Sequence, residues 1–427
     1  MKNLKNSGIE WLGEIPEHWE VVKIKYFANL YNGDSIKDSD KGKYCIADND
    51  TIPYIATKDI DIIFNSINYY NGMFIKRTDA NFKKAYKECI LLCIEGANAG
   101  KKIAILNQEV CFVNKLCCVK NKSTELNSKF LFYFFQGIFF QNIFFSNIKG
   151  LIGGVTPEQI GNFLFLLPPL KEQVQIANFL DEKCEKIQNF IEKKEKLLSL
   201  LQEQKQALIN ETITKGLDKN VKLKNSGIEW LGEIPEHWEV RKLKYICKIN
   251  PQINEALPDS FIYIDLESVT NGKLLKEQMI SKEKAPSRAQ RILQKQDILF
   301  QLVRPYQRNN YIFNKNGAYV ASTGYAQIRT KECIKFIYYT LLENSFVERV
   351  VLRSTGSNYP AISSNDFADM KIPLPPLKEQ EQIANFLDEK CEKIDSLITK
   401  IKKQIELIKE YKTTLINEAV CGRMDLK

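Results

Sequence analysis

The sequence predicts a mixed α/β (α+β) molecule with a pseudo-two-fold internal repeat: two globular domains separated by two long antiparallel coiled-coil helices. Three observations carry this reading. Residues 4–26 (LKNSGIEWLGEIPEHWEVVKIKY) recur at 223–245 with 21 of 23 positions identical. Residues 167–187 (LPPLKEQVQIANFLDEKCEKI) recur at 374–394 with 20 of 21 identical. The first block repeats at an offset of 219 and the second at 207, so the divergent material they enclose is 12 residues shorter in the second half. A chain of 427 residues exceeds a single hydrophobic core, and a period of about 210 is too long for a solenoid unit; the repeat is a duplicated domain.

Each half runs as short frame, long filling and long helix, giving segments 1–166, 167–218, 219–373 and 374–427. In the first frame, Trp19 and Val21 followed by Ile24 and Tyr26 predict a strand with a register change, entered through a turn at Gly13, Glu14 and Pro16. The fillings, about 28–166 and 247–373, mix strand-like runs with turn signals. Residues 54–56 and 261–264 open comparable strands, and 90–94 and 298–303 form apolar runs deeper in each filling. Both then reach an aromatic helical stretch, 130–145 and 336–346, and a Gly-containing loop, 150–154 and 354–357. A shared order with different residues predicts one fold carrying two sets of side chains.

The long helices start at Pro168-Pro169 and Pro375-Pro376, where proline fits the first turn, and end at Gly216 and Gly422. In the second helix Leu387, Ile394, Ile401, Ile408 and Leu415 recur every seven residues, flanked by Cys391, Ile398, Ile405, Lys412 and Ala419. The first helix gives Leu180, Ile187, Lys194, Leu201 and Leu208 beside Cys184, Ile191, Leu198, Lys205 and Thr212. These are heptad seams. A helix of this length spans roughly 65 Å at about 1.5 Å per residue. Each seam needs a partner of equal length, which favours mutual packing over packing along its own domain. A two-fold relation between the halves makes the pair antiparallel.

Composition narrows the function classes. With 44% hydrophobic residues the chain is globular, and a net charge of +9 permits nucleic acid without proving it. Eleven cysteines contain no CxxC; Cys89, Leu91 and Cys93 alternate on one face of a buried strand, and reduced thiols in a cytoplasmic protein are expected. The only histidines are His18 and His237, so no metal site is expected. The N-terminus has no apolar signal-peptide core. The most apolar stretch, 130–145, is too short to span a bilayer and is interrupted by Gln136, Gln141 and Asn142, so no membrane association is expected.

Catalytic arrangements are equally scarce. Both histidines lie in the repeated frame, leaving no Ser-His-Asp or Cys-His set, and His18 reads as a turn or packing residue. Residues 96–102 (GANAGKK) resemble a phosphate loop but are one residue short between the glycines and lack the Ser/Thr after lysine. At the comparable place the second filling has residues 304–310 (RPYQRNN). Asp259 and Glu267 lack a nearby lysine, Val269 standing where one is wanted, and the Glu192-Lys193-Lys194 and Glu203-Gln204-Lys205 runs lie on a solvated helix face. No Asn/Asp-Pro-Pro-aromatic loop is present, so the chain has no amino-methyltransferase centre. What remains is polar and basic loop material. Arg288, Arg291, Arg304, Gln307, Arg308, Asn309 and Asn310 in the second filling are of the types that read base edges. Lys83, Lys84, Asn98, Lys101, Lys102, Lys115 and Lys149 in the first suit phosphate contact.

The frame GIEWLGEIPEHWEV, a variable domain, and PLPPLKEQEQIANFLDEK at the head of a long heptad helix resemble the specificity subunit of type I restriction-modification systems, over the whole chain and twice in tandem. Residues 354–362 (STGSNYPAI) resemble the loop that closes these variable domains; 150–156 (GLIGGVT) depart from it. The resemblance implies that each filling is a target-recognition domain reading one half of a split, asymmetric site in double-stranded DNA, with Ser357, Asn358 and Tyr359 joining the DNA-binding candidates. The helices would set the spacer between half-sites. Each frame would dock one methyltransferase subunit, with Trp11, Trp19, Trp230 and Trp238 as docking candidates, and restriction subunits would add DNA translocation and cleavage. S-adenosylmethionine, ATP and Mg²⁺ would belong to those partners, leaving this chain without cofactor or catalytic residue. The alternative is a coiled-coil adaptor that does not touch DNA, which a gel shift with random duplex distinguishes. The purified chain is expected to bind no S-adenosylmethionine and to cleave no DNA; calorimetric titration and a plasmid nicking assay check both, and methyl transfer by the isolated chain would refute the reading.

Overall fold

The computed structural model describes residues 3–9, 12–148, 153–228, 231–252 and 255–424. It divides into two compact units, residues 1–195 with 402–427, and residues 196–401. The sequence segments follow the repeat, whereas the units follow contacts and cut both long helices, α1 (Leu170–Lys215) and α2 (Leu377–Val420). Each unit holds half of each helix.

In unit one Leu4–Asn6 pairs antiparallel with Glu14–Pro16, and Glu20–Lys23 with Leu164–Leu167, the strand just before α1. Unit two repeats both pairings, Leu223–Asn225 with Glu233–Pro235 and Glu239–Lys242 with Lys371–Leu374. The expected strand through Tyr26 stops early. Residues Ile24–Tyr26 form a 3-10 turn, because the Ile24 N–H goes to the Phe163 carbonyl and the Phe27 N–H folds back onto Ile24. Of the expected turn, Gly13 is left-handed and closes a turn with its N–H on the Ile9 carbonyl, whereas Glu14–Pro16 is a strand and a further reversal falls at Glu17 and His18. Pro16 is tolerated as the last residue of an edge strand.

Each filling holds two four-stranded sheets. In unit one the antiparallel sheet has the order Ala28–Asn32, Leu116–Asn121, Ile90–Cys93, Ile103–Ile105. The second sheet runs Phe74–Lys76, Thr51–Ile55, Val110–Phe112, Lys84–Ala85, with the middle pair parallel. Unit two builds the same orders from Cys247–Ile249, Tyr325–Thr330, Ile298–Gln301, Tyr311–Ile312 and from Gln278–Ser281, Ser260–Ile264, Tyr319–Ser322, Ala289–Ile292, again with the middle pair parallel. The face of Cys89, Leu91 and Cys93 packs into a core with Phe112 and Cys118.

The aromatic stretches are not single helices. The first breaks into Ser128–Gln136 and Ile138–Ser146 at Gly137, whose backbone is extended and whose missing Cβ would stand 3.1 Å from Val420. The second breaks into Ile334–Thr340 and Asn344–Leu352, where the buried Glu343 carboxylate caps the N–H groups of Ser345 and Phe346.

The heptad seams are used as expected: none of the twenty seam positions is exposed. In unit two Lys205 of α1 places its ammonium 2.7 Å from both carboxylate oxygens of Asp395 on α2, and Gly216, just past the end of α1, lies beside Glu379 near the start of α2. The two half-helices are therefore antiparallel, and Lys205 belongs to the seam, not to a solvated face. Gly216 (φ 75°) and Gly422 (φ 72°) close the helices in the left-handed conformation that glycine allows.

Three side chains at the head of each long helix hold the unit together, and they are identical in both copies. Glu172 accepts from the Trp19 indole (3.0 Å) and meets His18 (2.6 Å); Glu379 does the same for Trp238 (3.0 Å) and His237 (2.8 Å). The fully buried Gln173 accepts from the Asn127 N–H and donates to the Glu125 and Pro168 carbonyls; Gln380 accepts from the Cys333 N–H and donates to Glu332 and the Pro375 carbonyl. Asp181 binds Tyr133 and Lys129, and Asp388 binds Tyr339 and Lys335. Trp19 and Trp238 are 1% and 0% exposed, so the expectation that they dock a partner is corrected: their indoles are spent on fixing the frame to the helix. Trp11 and Trp230 lie outside the described residues. Glu379→Ala strands the buried Trp238 N–H and is expected to cost about 1–3 kcal/mol. Glu379→Gln, which keeps an acceptor, should cost less; thermal unfolding of the two variants checks the order.

Candidate nucleic-acid interface

The central strands Ile90–Cys93 and Ile298–Gln301 run into loops held by matching backbone bonds. The Ile94 N–H donates to the Lys115 carbonyl (3.0 Å), as Leu302 does to Gly324 (2.9 Å). The Val155 N–H donates to Ile94 (3.0 Å), as Ile362 does to Leu302 (3.1 Å). Gly96 donates to Gly153 (3.1 Å), as Arg304 does to Pro360 (2.7 Å). Glu95 forms a lone bridge with Gly154, and Val303 with Ala361. The closing loops, unlike in sequence, are therefore anchored alike.

Backbone angles carry the match further. Gly96 (φ 87°) and Gly100 (φ 74°) are left-handed, and so are Arg304 (φ 54°) and Arg308 (φ 53°). The glycine spacing that resembles a phosphate loop is thus the requirement of a turn with two left-handed residues four apart. Unit two builds that turn with arginines, at roughly 1–2 kcal/mol of strain each. Strain of this kind persists where the side chain has a use.

The arginines have different uses. Arg304 stacks its guanidinium over the Tyr359 ring at 4.1 Å, and its Nε is buried without a hydrogen-bond partner. Arg308 turns inward, donating from Nη1 to Gln206 Oε1 of α1 (2.7 Å) and towards the Leu342 carbonyl (3.4 Å). Burial pulls its pKa below the ordinary arginine value, with Glu343 and Glu348 opposing. In unit one Gly100 has nothing to send inward. A cavity of about 360 Å³ is lined there by Lys101, Gln136 and Thr413, which by repeat offset match Asn309, Leu342 and Gln206. Within it Lys412 reaches the Ile63 carbonyl (3.1 Å), and burial lowers its pKa.

Of the remaining candidates in unit two, Asn310 is corrected. It is 1% exposed; its Oδ1 accepts from the Gln301 N–H and its Nδ2 faces the Leu341 carbonyl, so it belongs to the interior. Gln301, also 1% exposed, was not picked out by sequence reasoning yet organises the loop: its amide donates to Val303 O and Gln307 Oε1, and its Oε1 accepts from the Asn309 N–H. A lone glutamine in an otherwise apolar strand was the available signal. Gln307 is exposed and Asn309 half-buried. Arg288 is exposed, its carbonyl accepting from Thr323 next to Gly324, so the edge strand Ala289–Ile292 is tied to the same loops. Arg291 is half-buried on that strand with an unpartnered Nε, and burial lowers its pKa. Ser357, Asn358 and Tyr359 are exposed in a loop closed by mutual Thr355–Ala361 bonds (2.9 and 3.0 Å). The structure thus joins Arg288, Arg304, Gln307 and residues 357–359 through one relay of loop hydrogen bonds.

In unit one Asn98 and Lys101 are exposed on the equivalent loop, Lys101 lying 6.0 Å from the Phe145 ring. Lys115 pairs with Glu95 (3.4 Å), and Lys102 turns inward to the Thr57 carbonyl (2.8 Å). Lys84 opens the edge strand Lys84–Ala85, equivalent to Ala289–Ile292, and Lys83 precedes it as Arg288 precedes the other; Lys83 lies near Asp34 (3.9 Å), and Lys84 bonds the Arg77 carbonyl (2.6 Å) near Glu109 (3.8 Å). Lys149 lies outside the described residues. Among the described residues no group of three or more His, Cys, Asp or Glu could hold a metal ion, and no helix is long and apolar enough to cross a membrane.

Residues 16–200 and 235–407 match the type I restriction modification DNA specificity domain, and the chain belongs to that family of DNA specificity subunits. It is 26% identical over 437 residues to the type I restriction enzyme MjaVIII specificity subunit of Methanocaldococcus jannaschii, covering 97% of this chain and 94% of that protein. The EcoBI specificity subunit of Escherichia coli is 21% identical, over 99% of this chain and 90% of its own length. The fold matches a solved chain from work on complex assembly and conformational transition of the type I R-M system, with TM-score 0.72 at 17% identity over 96% of this chain and 99% of that one. It also matches the HsdS subunit from Thermoanaerobacter tengcongensis, with TM-score 0.52 at 18% identity over 96% of this chain and 98% of that one.

The loop geometry makes an ordered expectation. An alanine Cβ at Gly96 meets open space and carries only the left-handed strain, about 1–2 kcal/mol. At Gly100 it also stands 2.7 Å from the Phe144 ring, so Gly100→Ala should destabilise more than Gly96→Ala in urea unfolding.

Proposed function

We propose that this chain reads a bipartite, asymmetric DNA site, the filling of unit one (about 28–166) contacting one half and that of unit two (about 247–373) the other. The observation that carries this is the shared loop scaffold with different side chains: Gly96 and Gly100 in one copy stand where Arg304 and Arg308 stand in the other. A common backbone with exchanged side chains suits two similar surfaces meeting different base sequences. Arg288, Arg304, Gln307 and residues 357–359 are the reading candidates of unit two, with Asn98, Lys101 and Lys115 at the matching place in unit one. Phosphate contacts would position the duplex, and base contacts would specify it.

Each frame docks one methyltransferase subunit, which methylates adenine, and restriction subunits joining the assembly supply cleavage. S-adenosylmethionine, ATP and Mg²⁺ are bound by those subunits, and this chain contributes no catalytic group. With Trp19 and Trp238 buried, the docking surface rests on side chains that are identical between copies and exposed. Tyr26 (65%) and Tyr245 (70%), each under its neighbouring lysine, lead these, with Leu4 and Leu223.

Two measurements test the division of labour. Replacing residues 247–373 with the filling of a relative should change one half of the methylated motif and leave the other half and the spacer intact, as read by sequencing modified adenines. Tyr26→Ala with Tyr245→Ala should weaken co-purification with the methyltransferase subunit without altering the motif. Binding to no duplex would return the chain to the adaptor reading, and equal binding of all duplexes would overturn the reading of a specific site.

A further inference from the structure

We infer that Arg304 is the residue through which unit two reads a guanine, by paired hydrogen bonds to its O6 and N7. This rests on the DNA-reading function proposed above and names one contact within it. Arg304 is held from three sides. Its N–H is fixed to Pro360 at 2.7 Å, its carbonyl accepts from Gln307 at 3.0 Å, and its guanidinium plane lies on the Tyr359 ring at 4.1 Å. Stacking fixes a guanidinium while leaving its edge donors free. Arg304 makes no ion pair among the described residues, and its Nε is a buried donor without a partner. A stacked guanidinium that makes no side-chain hydrogen bond among the described residues calls for a planar acceptor pair for its outer Nη donors, and DNA offers two: a phosphate or the major-groove edge of guanine.

Comparison of the copies decides between them. Phosphates are the same along any duplex, so a phosphate contact should be retained where the scaffold is retained. The anchoring bonds of Ile94 and Leu302, of Val155 and Ile362, and of Gly96 and Arg304 are retained, as are the two left-handed positions, yet the position of Arg304 is held in unit one by Gly96, which has no side chain at all. A side chain present in one copy and deleted in the other, on the same backbone, follows the sequence being read. Arg308, four residues on, does not compete for the role, since its guanidinium is turned inward and its Nη1 donates to Gln206 and towards the Leu342 carbonyl.

The test uses the full chain with its methyltransferase subunit. The site is first mapped by sequencing adenine methylation, and duplexes are then made with each guanine of the second half-site replaced singly by 7-deazaguanine, which lacks the N7 acceptor. One replacement should weaken binding about 10- to 100-fold. In the Arg304→Gly variant the same replacement should make no difference, and all four base pairs should be bound alike at that position. Glycine is chosen because Gly96 is also left-handed at the equivalent place, so the variant keeps the fold; a melting temperature no lower than that of the wild type verifies this. Arg304→Lys, which keeps the charge and loses the fork, should behave like the glycine variant in discrimination while retaining salt-dependent affinity. The inference is overturned if the second half-site contains no guanine, if Arg304→Gly weakens every duplex equally and keeps the 7-deazaguanine penalty, as a phosphate contact would, or if discrimination is unchanged. Loss of all sequence preference in the wild-type complex would instead overturn the reading function itself.

Discussion

The structure depends on a carboxylate at the head of each long helix. Glu172 and Glu379 each accept from a buried indole and meet a histidine of the preceding frame. The frame is otherwise two short strand pairs, too small to hold a fixed place by themselves. The charge-assisted bond is short and directional, and it joins a helix to a strand pair some 150 residues earlier in the chain. Gln173 and Asp181, and their counterparts Gln380 and Asp388, extend the same grip to the aromatic helices of the filling. Everything that varies is suspended between elements fixed in this way.

The consequence is a division between backbone and side chain. The two fillings keep strand order, parallel pair, loop anchors and left-handed positions while exchanging most of their residues. A fold that tolerates such exchange needs its rigidity outside the exchanged surface, and the buried Gln301 shows one way of obtaining it. Its amide organises the loop from below, holding the Val303 carbonyl, the Asn309 N–H and the Oε1 of the exposed Gln307.

Much of this was legible in the sequence. Heptad spacing, flanking prolines and terminal glycines mark the long helices because each reflects local geometry. The buried face of Cys89, Leu91 and Cys93 follows from the two-residue period of a strand. The break at Gly137 was not legible, because an aromatic run is compatible with one helix or two, and what forbids a side chain there is Val420, distant in sequence. Near-identity of the frames pointed to a partner, yet for Trp19 and Trp238 it reflects an internal need repeated twice, and repetition alone cannot separate the two causes. Asn310 and Arg308 had the residue types of a reading surface, and only tertiary contacts reveal that they face inward.

The composition of the two units bears on how the chain folds as it is made. Unit two is one continuous stretch, residues 196–401, and all of it is available as soon as it leaves the ribosome. Unit one is split, and its last piece, residues 402–427, is translated after the whole of unit two. Until then the frame of unit one lacks the helix end whose Gly422 packs on Pro16 and Trp19 and whose Arg423 binds the Leu12 carbonyl at 3.2 Å. The unit encoded first is thus completed last, and the nascent chain carries it with an uncovered apolar seam throughout synthesis of the other. The interval before unit one can close is thus set by the length of residues 196–401, a stretch that contributes nothing to it.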